Sequence, residues 1–206
     1  FDILTANPKA LKKRVRFIES DLNRVFPGKI KDNYEEARAK KIVKIGKKYK
    51  QVVDLHGSMS KTGIFIIITK LTEENLRLAL SFNIKRIVIW QNTEETAGSL
   101  STFMPCGVEI ESGFRDDKRV WLKLEKILKN FLTNYPKDLN YEAAIKNKEI
   151  YRVAGKLEKT RKKPDKLNNW VKVNGFYPLF VGGQYNNIWC YKLKKISPAS
   201  CSKMLK

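Results

Sequence analysis

Two patterns of apolar positions alternate along the first two thirds of the chain. Short runs that are almost entirely apolar, such as GIFIIIT at residues 63–69, predict strands that are buried on both faces. Stretches in which apolar residues recur every three or four positions, such as residues 34–49, predict amphipathic helices. The predicted strands cover residues 1–6, 51–56, 63–69, 84–90 and 107–113, and the predicted helices cover residues 34–49, 71–82 and 116–132. This alternation predicts an α/β fold with a central β-sheet flanked by helices.

The pattern changes after Tyr135-Pro136. From about residue 140, short apolar runs are separated by polar turns, in EIYRVAGKLEKT, NWVKV, FYPLFV and IWCYKLKK. We therefore predict an α/β domain over residues 1–138 and a small β-rich C-terminal domain over residues 139–206. The chain begins with Phe1 inside an apolar stretch rather than with Met, so we expect further residues before it in the natural protein.

The composition is that of a globular protein with a strong positive charge. Apolar residues make up 42% of the 206 residues, and no apolar run approaches the ~18 residues that a membrane span needs. The net charge of +21 favours either nucleic-acid binding or a solvated, lysine-rich surface. Three unevenly spaced cysteines, Cys106, Cys190 and Cys201, fit neither a disulfide framework nor a metal knuckle. With no visible secretory signal, these features predict a cytoplasmic protein.

The only histidine of the chain, His56, ends a predicted strand and is followed by a loop that contains glycine. Ligand sites in α/β sheets lie beyond the carboxyl ends of the strands, so this position suits a functional imidazole as well as a structural one. A second cluster, at residues 15–28, places polar side chains beside apolar ones: Arg16, Asp21, Asn23 and Arg24. An arginine with an amide donor suits the binding of a carboxylate, and a salt-bridged loop is the alternative.

Two glutamates, Glu109 and Glu111, lie two residues apart in the predicted strand GVEIESG. Side chains alternate along a strand, so both carboxylates share one face. Two carboxylates buried side by side would repel each other, and we expect at least one to face solvent, a cation or a metal. An exposed face of an edge strand is the alternative.

Together these stretches resemble the aspartoacylase and succinylglutamate desuccinylase family, whose members are relatives of the zinc carboxypeptidases. The similar stretches are NPKA, RFIESDLNRVFPG, YEEARA, VVDLHGSMSKTG, GVEIESG and GFYPLFVGGQY, in the order in which the family has them. The resemblance implies a mixed central β-sheet flanked by helices, as in zinc carboxypeptidases, with a small C-terminal β domain. It also implies one zinc ion per subunit, with a small N-acyl amino acid as the substrate.

The resemblance implies roles for individual residues. His56 corresponds to a zinc ligand, and Asp21 to a carboxylate that orients a zinc-binding histidine. Arg16 corresponds to the arginine that stabilises the oxyanion of the tetrahedral intermediate. Glu111 is implied as the general base when GVEIESG is aligned with the family's motif. A second alignment of the same residues also fits and makes Glu109 the base.

For substrate binding, the resemblance implies that Asn23 and Arg24 bind a carboxylate and that Tyr185, from the C-terminal domain, contacts the substrate. The chain departs from the family in two respects. The family's other zinc ligands form an HxxE motif upstream of the NPKA stretch, and this motif is missing here. Either the natural protein is longer or the site is inactive, and the intact DLNR and DLH stretches favour the longer protein. Aspartoacylases also carry an arginine shortly before the base, where this chain has AGSLSTFM, so acetylaspartate is not predicted as the substrate.

We therefore predict a zinc-dependent amidohydrolase or deacylase that cleaves the amide of an N-acyl amino acid or a similar small molecule with a carboxylate. Zinc would polarise the carbonyl and activate water, a glutamate would accept the proton, and Arg16 would meet the negative oxygen. A carboxypeptidase-like peptidase is one alternative. A non-catalytic relative that binds nucleic acid is another, although the chain has no known nucleic-acid-binding motif. Neither a membrane partner nor a particular oligomer is predicted, and a homo-oligomer is compatible with the sequence.

Overall fold

The structure, a computed structural model, describes residues 1–29, 33–91, 93–135, 138–160, 164, 166–182 and 187–205. The α-helices are α1 (Pro8–Lys13), α2 (Tyr34–Gly46), α3 (Glu73–Ser81), α4 (Glu94–Ala97), α5 (Lys118–Thr133), α6 (Tyr141–Lys146) and α7 (Pro198–Lys203). The β-strands are β1 (Val52–Ser58), β2 (Phe65–Ile68), β3 (Arg86–Ile89), β4 (Gly107–Phe114), β5 (Glu149–Glu158), β6 (Tyr177–Leu179) and β7 (Ile188–Ile196). Short 3-10 helices lie at Leu22–Arg24 and Leu100–Phe103.

The strands form one mixed sheet in the order β1-β4-β2-β3-β5-β7-β6. Three neighbouring pairs are parallel, namely β1 with β4, β2 with β3, and β3 with β5. The pairs β2 with β4, β5 with β7, and β6 with β7 are antiparallel. β1 therefore lies at an edge, with β4 as its one neighbour among the described strands. The mixed sheet with flanking helices confirms the predicted fold class.

The two faces of the sheet are covered by different structures. Ile66 and Ile68 of β2 face a core that also contains side chains from α3, α5, α6 and α7. Phe65 and Ile67 alternate with them and face an aromatic cluster whose other members include Trp90. All four β2 side chains are 4% exposed or less, and burial of a side chain of this size is worth about 1.5–3 kcal/mol. The uninterrupted apolar run of β2 thus reflects burial on both faces.

A smaller apolar cluster joins α2 to the two 3-10 helices. Its buried members are Leu22, Phe26, Ala39, Ile42, Val43, Leu100 and Met104. The side chain of Asn33 caps the start of α2 by accepting a hydrogen bond of 2.8 Å from the backbone N–H of Glu36. The cluster holds the loop over residues 14–28 beside the segment over residues 94–103, and both segments contribute to the site described below.

The predicted strands at residues 51–56, 63–69, 84–90 and 107–113 correspond to β1, β2, β3 and β4. The predicted helices at residues 34–49, 71–82 and 116–132 correspond to α2, α3 and α5. These predictions are confirmed. The apolar pattern of each segment matches its place, as a strand within the sheet or as a helix packed against it.

The predicted strand at residues 1–6 is wrong. Residues 1–5 have no regular structure, and Ile3 is 88% exposed. A strand needs a neighbour for its backbone groups, and none of the described strands pairs with these residues. Instead, the guanidinium of Arg38 donates to the backbone carbonyls of Thr5, at 2.6 Å, and Ala6, at 2.8 Å.

The C-terminal strands continue the sheet, since β5 pairs directly with β3 of the α/β part. The division into domains at residue 138 stays a prediction. None of the helices in the described ranges combines the length and the apolar character that crossing a membrane requires.

Candidate active site at the edge of the sheet

Four ionisable side chains meet where β1 lies beside β4. The parallel register pairs Asp54 with Glu109 and His56 with Glu111. Residues two apart on a strand share a face, so all four side chains project from the same side of the sheet. Ile110, between the two glutamates, belongs to the helix-covered core on the other side. The alternation along β4 therefore separates a charged face from an apolar one.

The imidazole of His56 lies inside this acidic group. Its Nε2 is 3.0 Å from Oδ2 of Asp54 but makes no hydrogen bond of good geometry. Burial by itself lowers the pKa of His56, because it disfavours the charged ring. The negative charges of Asp54, Glu109 and Glu111 outweigh burial and raise this pKa to about 10. Without a bound cation, the ring is therefore an imidazolium that neutralises part of the surrounding negative charge.

The two glutamates have different surroundings. Burial raises the pKa of Glu109, which is 4% exposed, and its Oε1 accepts a hydrogen bond of 2.8 Å from the hydroxyl of Ser101. Glu111 has a buried oxygen, Oε2, without a hydrogen-bond partner. Burial raises the pKa of Glu111 to about 7, although the positive charges of His56 and Arg16 act in the opposite direction. One carboxylate is thus held by a hydroxyl, and the other has an unsatisfied oxygen.

These residues could hold a divalent metal ion. The ligand atoms of Asp54, His56 and Glu109 all lie within 4.8 Å of one another. Imidazole nitrogen and carboxylate oxygen are common ligands of zinc. Three carboxylates surround one imidazole here, so a divalent cation would relieve the repulsion between them. Both the donor atoms and the charge fit a zinc ion.

The loop over residues 14–28 carries the other predicted site residues. Arg16 donates to Oδ2 of Asp21 from Nη2, at 2.6 Å, and from Nε, at 3.1 Å. The side chain of Arg16 is 66% exposed, and its charge also lowers the pKa of Glu111. Oδ1 of Asn23 is buried without a partner, while Arg24 donates from Nη1 to the backbone carbonyl of Asn23 at 2.8 Å. In this structure Asp21 orients Arg16, and its role toward a zinc-binding histidine stays a prediction.

A buried glutamate fixes the shape of this loop. Glu35, in the first turn of α2, accepts hydrogen bonds from the backbone N–H groups of Ile18 (2.7 Å), Glu19 (3.1 Å) and Ser20 (3.3 Å). The side-chain amide of Asn7 donates a fourth, at 3.0 Å. Burial by itself raises the pKa of Glu35, but the four hydrogen bonds outweigh it and the pKa is lowered. An ionised carboxylate therefore ties the loop to α2.

The loop also contacts the segment that leads into β4. Gly98 lies so close to the backbone of Arg24 that a Cβ at this position would be 2.3 Å from the carbonyl oxygen of Arg24. A side chain therefore cannot be added here without moving one of the two segments. Glycine at this position allows the loop that carries Arg16 and Asn23 to approach the segment that carries Ser101.

Buried polar atoms without a partner are concentrated in this region. Five such side-chain atoms occur in the described part of the chain, and three of them belong to Asn23, His56 and Glu111. Leaving a buried polar atom unsatisfied costs about 1–3 kcal/mol, and such atoms are rare in folded proteins. His56 and Glu111 are cross-strand neighbours, so a ligand bound beside them could satisfy both of their unpaired atoms.

The structure therefore brings together His56, Glu109 and Glu111 and places the charge of Arg16 within reach of Glu111. Asn23 and Arg24 lie on the same loop as Arg16, whereas Tyr185 lies outside the described residues. Sequence reasoning missed Asp54, although its two-residue spacing from His56 on one strand was a usable signal. It also missed the fixing role of Glu35, which depends on contacts that no local pattern predicts.

Residues 3–132 match the family model of the succinylglutamate desuccinylase/aspartoacylase catalytic domain. The chain belongs to this family. The match includes β1 and β4, the two strands that carry the four ionisable side chains of the site, as well as the loop of residues 14–28.

Curated proteins resemble this aspartoacylase-family chain over shorter stretches. An N-acyl-aromatic-L-amino acid amidohydrolase (carboxylate-forming) from Xenopus laevis is 39% identical over 89 residues, which are 38% of this chain and 29% of that protein. A probable aspartoacylase from Trichodesmium erythraeum (strain IMS101) is 35% identical over 88 residues, which are 37% of this chain and 29% of that protein. The matched stretch is thus less than a third of each relative.

Solved structures resemble the family member over nearly its whole length. Murine aminoacylase 3 has a TM-score of 0.72 at 17% identity, covering 93% of this chain and 82% of that one. The succinylglutamate desuccinylase from Chromobacterium violaceum has a TM-score of 0.65 at 18% identity, covering 93% of this chain and 72% of that one. At this level of identity the similarity shows a shared fold.

Proposed function

We propose that this protein is a zinc-dependent hydrolase that removes the acyl group from an N-acyl amino acid or a similar small molecule with a carboxylate. The observation that carries the proposal is the register of β1 and β4, which brings His56 beside Glu109 and Glu111 on one face of the sheet. Membership of the family supports the same class of reaction, as do the amidohydrolase and aspartoacylase names of the relatives.

The proposed zinc site is built around His56. A bound zinc ion would polarise the acyl carbonyl and lower the pKa of a water molecule. Asp54, with its oxygen 3.0 Å from Nε2, is suited to orient the imidazole and to raise its basicity. In the family that the sequence resembles, two further zinc ligands come from an HxxE motif, which residues 1–206 do not contain.

Proton transfer belongs to Glu109 or Glu111 in this proposal. A carboxylate oxygen of Glu109 lies within 4.8 Å of a ring nitrogen of His56, and so beside the proposed zinc position. In this proposal Glu109 acts from there as the base, and not as a zinc ligand. Glu111, the base implied by the sequence motif, has an unpaired buried oxygen and a pKa of about 7, which suits a general base at neutral pH. We take Glu109 as the first candidate because of its position, and Glu111 as the second.

The loop of residues 14–28 supplies the groups that meet negative charge. Arg16 is proposed to stabilise the oxyanion. Its exposed guanidinium donates two of its five N–H groups to Asp21, and the remaining N–H groups are suited to bind the negative oxygen. Asn23 and Arg24 are proposed to bind the substrate carboxylate, with Tyr185 as a further contact from the C-terminal part. Asp21 then keeps Arg16 in place.

The first experiment measures zinc content and hydrolysis on the full chain. Purified protein is analysed for zinc and assayed with short peptides and with a panel of N-acetylated amino acids that includes aromatic and acidic members. His56→Ala is expected to lose stoichiometric zinc and hydrolysis. Leu55→Ala is the matched control, because Leu55 is the adjacent residue of β1 and is 46% exposed, and it should retain both. Zinc retention by His56→Ala would contradict the proposal, as would hydrolysis of peptides alone, which favours the peptidase.

A second experiment assigns the base. Glu109→Gln is expected to lower kcat by about 10²–10⁴-fold, the usual contribution of a general base, while Glu111→Gln retains most of the activity. The reverse result would assign proton transfer to Glu111. Equal, small losses in both variants would contradict the role of this pair.

A further inference from the structure

We infer that Ser101, backed by Thr69, is a positioning residue that fixes the Glu109 carboxylate toward His56. This inference rests on the proposed function, because it concerns the glutamate proposed as the base. We call Ser101 and Thr69 the hydroxyl pair. Ser101 lies in the 3-10 helix Leu100–Phe103, and Thr69 follows β2 directly, so the pair links two separate segments to β4.

The distances form a continuous line of hydrogen bonds. The hydroxyl oxygens of Thr69 and Ser101 are 2.8 Å apart, and the Ser101 hydroxyl is 2.8 Å from Oε1 of Glu109. All three side chains are buried, with 4%, 1% and 4% of their surface exposed for Thr69, Ser101 and Glu109. Water therefore has little access to replace either bond.

The number of protons fixes the direction of these bonds. A glutamate that acts as a base is ionised before it takes up the proton, and an ionised carboxylate only accepts hydrogen bonds. A serine hydroxyl has a single proton to donate. Ser101 therefore donates to Glu109, and Thr69 must donate to Ser101. The Oε1 oxygen of Glu109 is thereby held by the hydroxyl pair.

The segment that carries Ser101 also reaches the substrate-binding loop. Ser99, from the same segment, makes a further side-chain hydrogen bond to Glu109. Gly98 packs against the backbone of Arg24 so closely that a Cβ would lie 2.3 Å from its carbonyl oxygen. Residues 98–101 therefore hold the proposed base and the proposed carboxylate-binding loop in a fixed relation to each other.

The activity test compares two buried serines in the full, zinc-loaded chain. Ser101→Ala is expected to lower kcat by about 10–100-fold, the usual effect of removing a partner that orients a catalytic group, with little change in KM. Ser112→Ala is the matched control, because Ser112 is also fully buried on β4 and its hydroxyl has no partner among the described residues. Circular dichroism of both variants checks that they are folded. If Ser101→Ala keeps the kcat of the control, the inference is overturned.

A second measurement does not depend on activity. The carboxyl carbon of Glu109 is observed by NMR in protein labelled at glutamate, with Glu109→Gln providing the assignment. Thr69→Val removes a hydroxyl that is hydrogen-bonded to Ser101, and it is expected to shift this signal. Thr69→Ser keeps the hydroxyl and is expected to restore the signal of the natural protein. An unchanged signal in folded Thr69→Val would overturn the inference. If the natural protein hydrolyses no N-acyl amino acid, the proposed function fails, and this measurement still decides the role of the hydroxyl pair.

Discussion

Replacing Glu35 by glutamine removes a buried negative charge and tests how the loop of residues 14–28 is held. The carboxylate accepts three backbone N–H groups and one side-chain amide, at distances between 2.7 and 3.3 Å. Glutamine has nearly the same shape, but its NH₂ group donates. The oxygen that faces Ile18 and Asn7 can be kept, whereas the N–H groups of Glu19 and Ser20 would then face another donor.

The expected loss follows from these two bonds. A hydrogen bond to a charged group contributes about 1.5–3 kcal/mol, so losing two of them should lower the free energy of unfolding by about 3–6 kcal/mol. Urea denaturation at pH 7 measures this difference. Glu74→Gln is the matched control, because Glu74 occupies the same position in the first turn of α3 but is exposed. The control should lose less than about 0.5 kcal/mol.

The pH dependence gives a second check on the same residue. The pKa of Glu35 is lowered in the folded protein, so its contribution is fully present above its ordinary value of 4.5 and is lost as the pH falls through the folded value. The difference between the natural protein and Glu35→Gln should therefore shrink below that pH. A loss equal to that of Glu74→Gln, or a difference that stays constant in acid, would refute the reasoning.

Three further predictions follow from other contacts. Gly98→Ala should lower the free energy of unfolding by about 1–3 kcal/mol, because the added Cβ would lie 2.3 Å from the carbonyl oxygen of Arg24. Urea denaturation measures this difference, and an unchanged free energy would contradict the close packing. In metal-free protein the pKa of His56 is raised from 6.5 to about 10, so its stabilising effect is full below pH 6.5 and is lost as the pH rises toward 10. Urea denaturation between these pH values should show this decline, and His56→Gln should flatten it; an equally steep decline in the variant would assign it elsewhere. Lys148→Met should lower the free energy of unfolding by about 2–3 kcal/mol, because the ammonium donates at 2.6 and 2.8 Å to two backbone carbonyls that follow α3. Lys146→Met is the control, since Lys146 is exposed. Equal losses in the two variants would contradict the role of these bonds.

Local patterns predicted the elements that are buried against the sheet. β2 is an uninterrupted apolar run, whereas α3 repeats its apolar residues at helical spacing, so the pattern along the chain was sufficient to predict both. The apolar stretch at residues 1–5 shows the limit of this approach. Its residues favour a strand, but a strand forms only where another strand accepts its hydrogen bonds, and that partner is a property of the whole fold.

Only part of the candidate site could be predicted, because the site also depends on which strands pair. His56 and the two glutamates were singled out by their places on predicted strands, and the family resemblance added their roles. The structure adds that His56 and Glu111 are cross-strand neighbours. Their pairing depends on the register between β1 and β4, which are separated by almost fifty residues and two further strands. Asp54 could have been found from alternation along β1. The hydrogen bond from Ser101 to Glu109 could not have been predicted. A short polar segment has no periodicity that shows which carboxylate it contacts.

The register between β1 and β4 has a consequence for how the site tolerates changes in chain length. Asp54 and His56 pair with Glu109 and Glu111 and share one face of the sheet. Because side chains alternate along a strand, a slip of this pairing by one residue would turn the side chains of β1 to the opposite face. A one-residue insertion ahead of Asp54 that shifts the pairing would thus turn the imidazole away from both glutamates without removing any residue of the site.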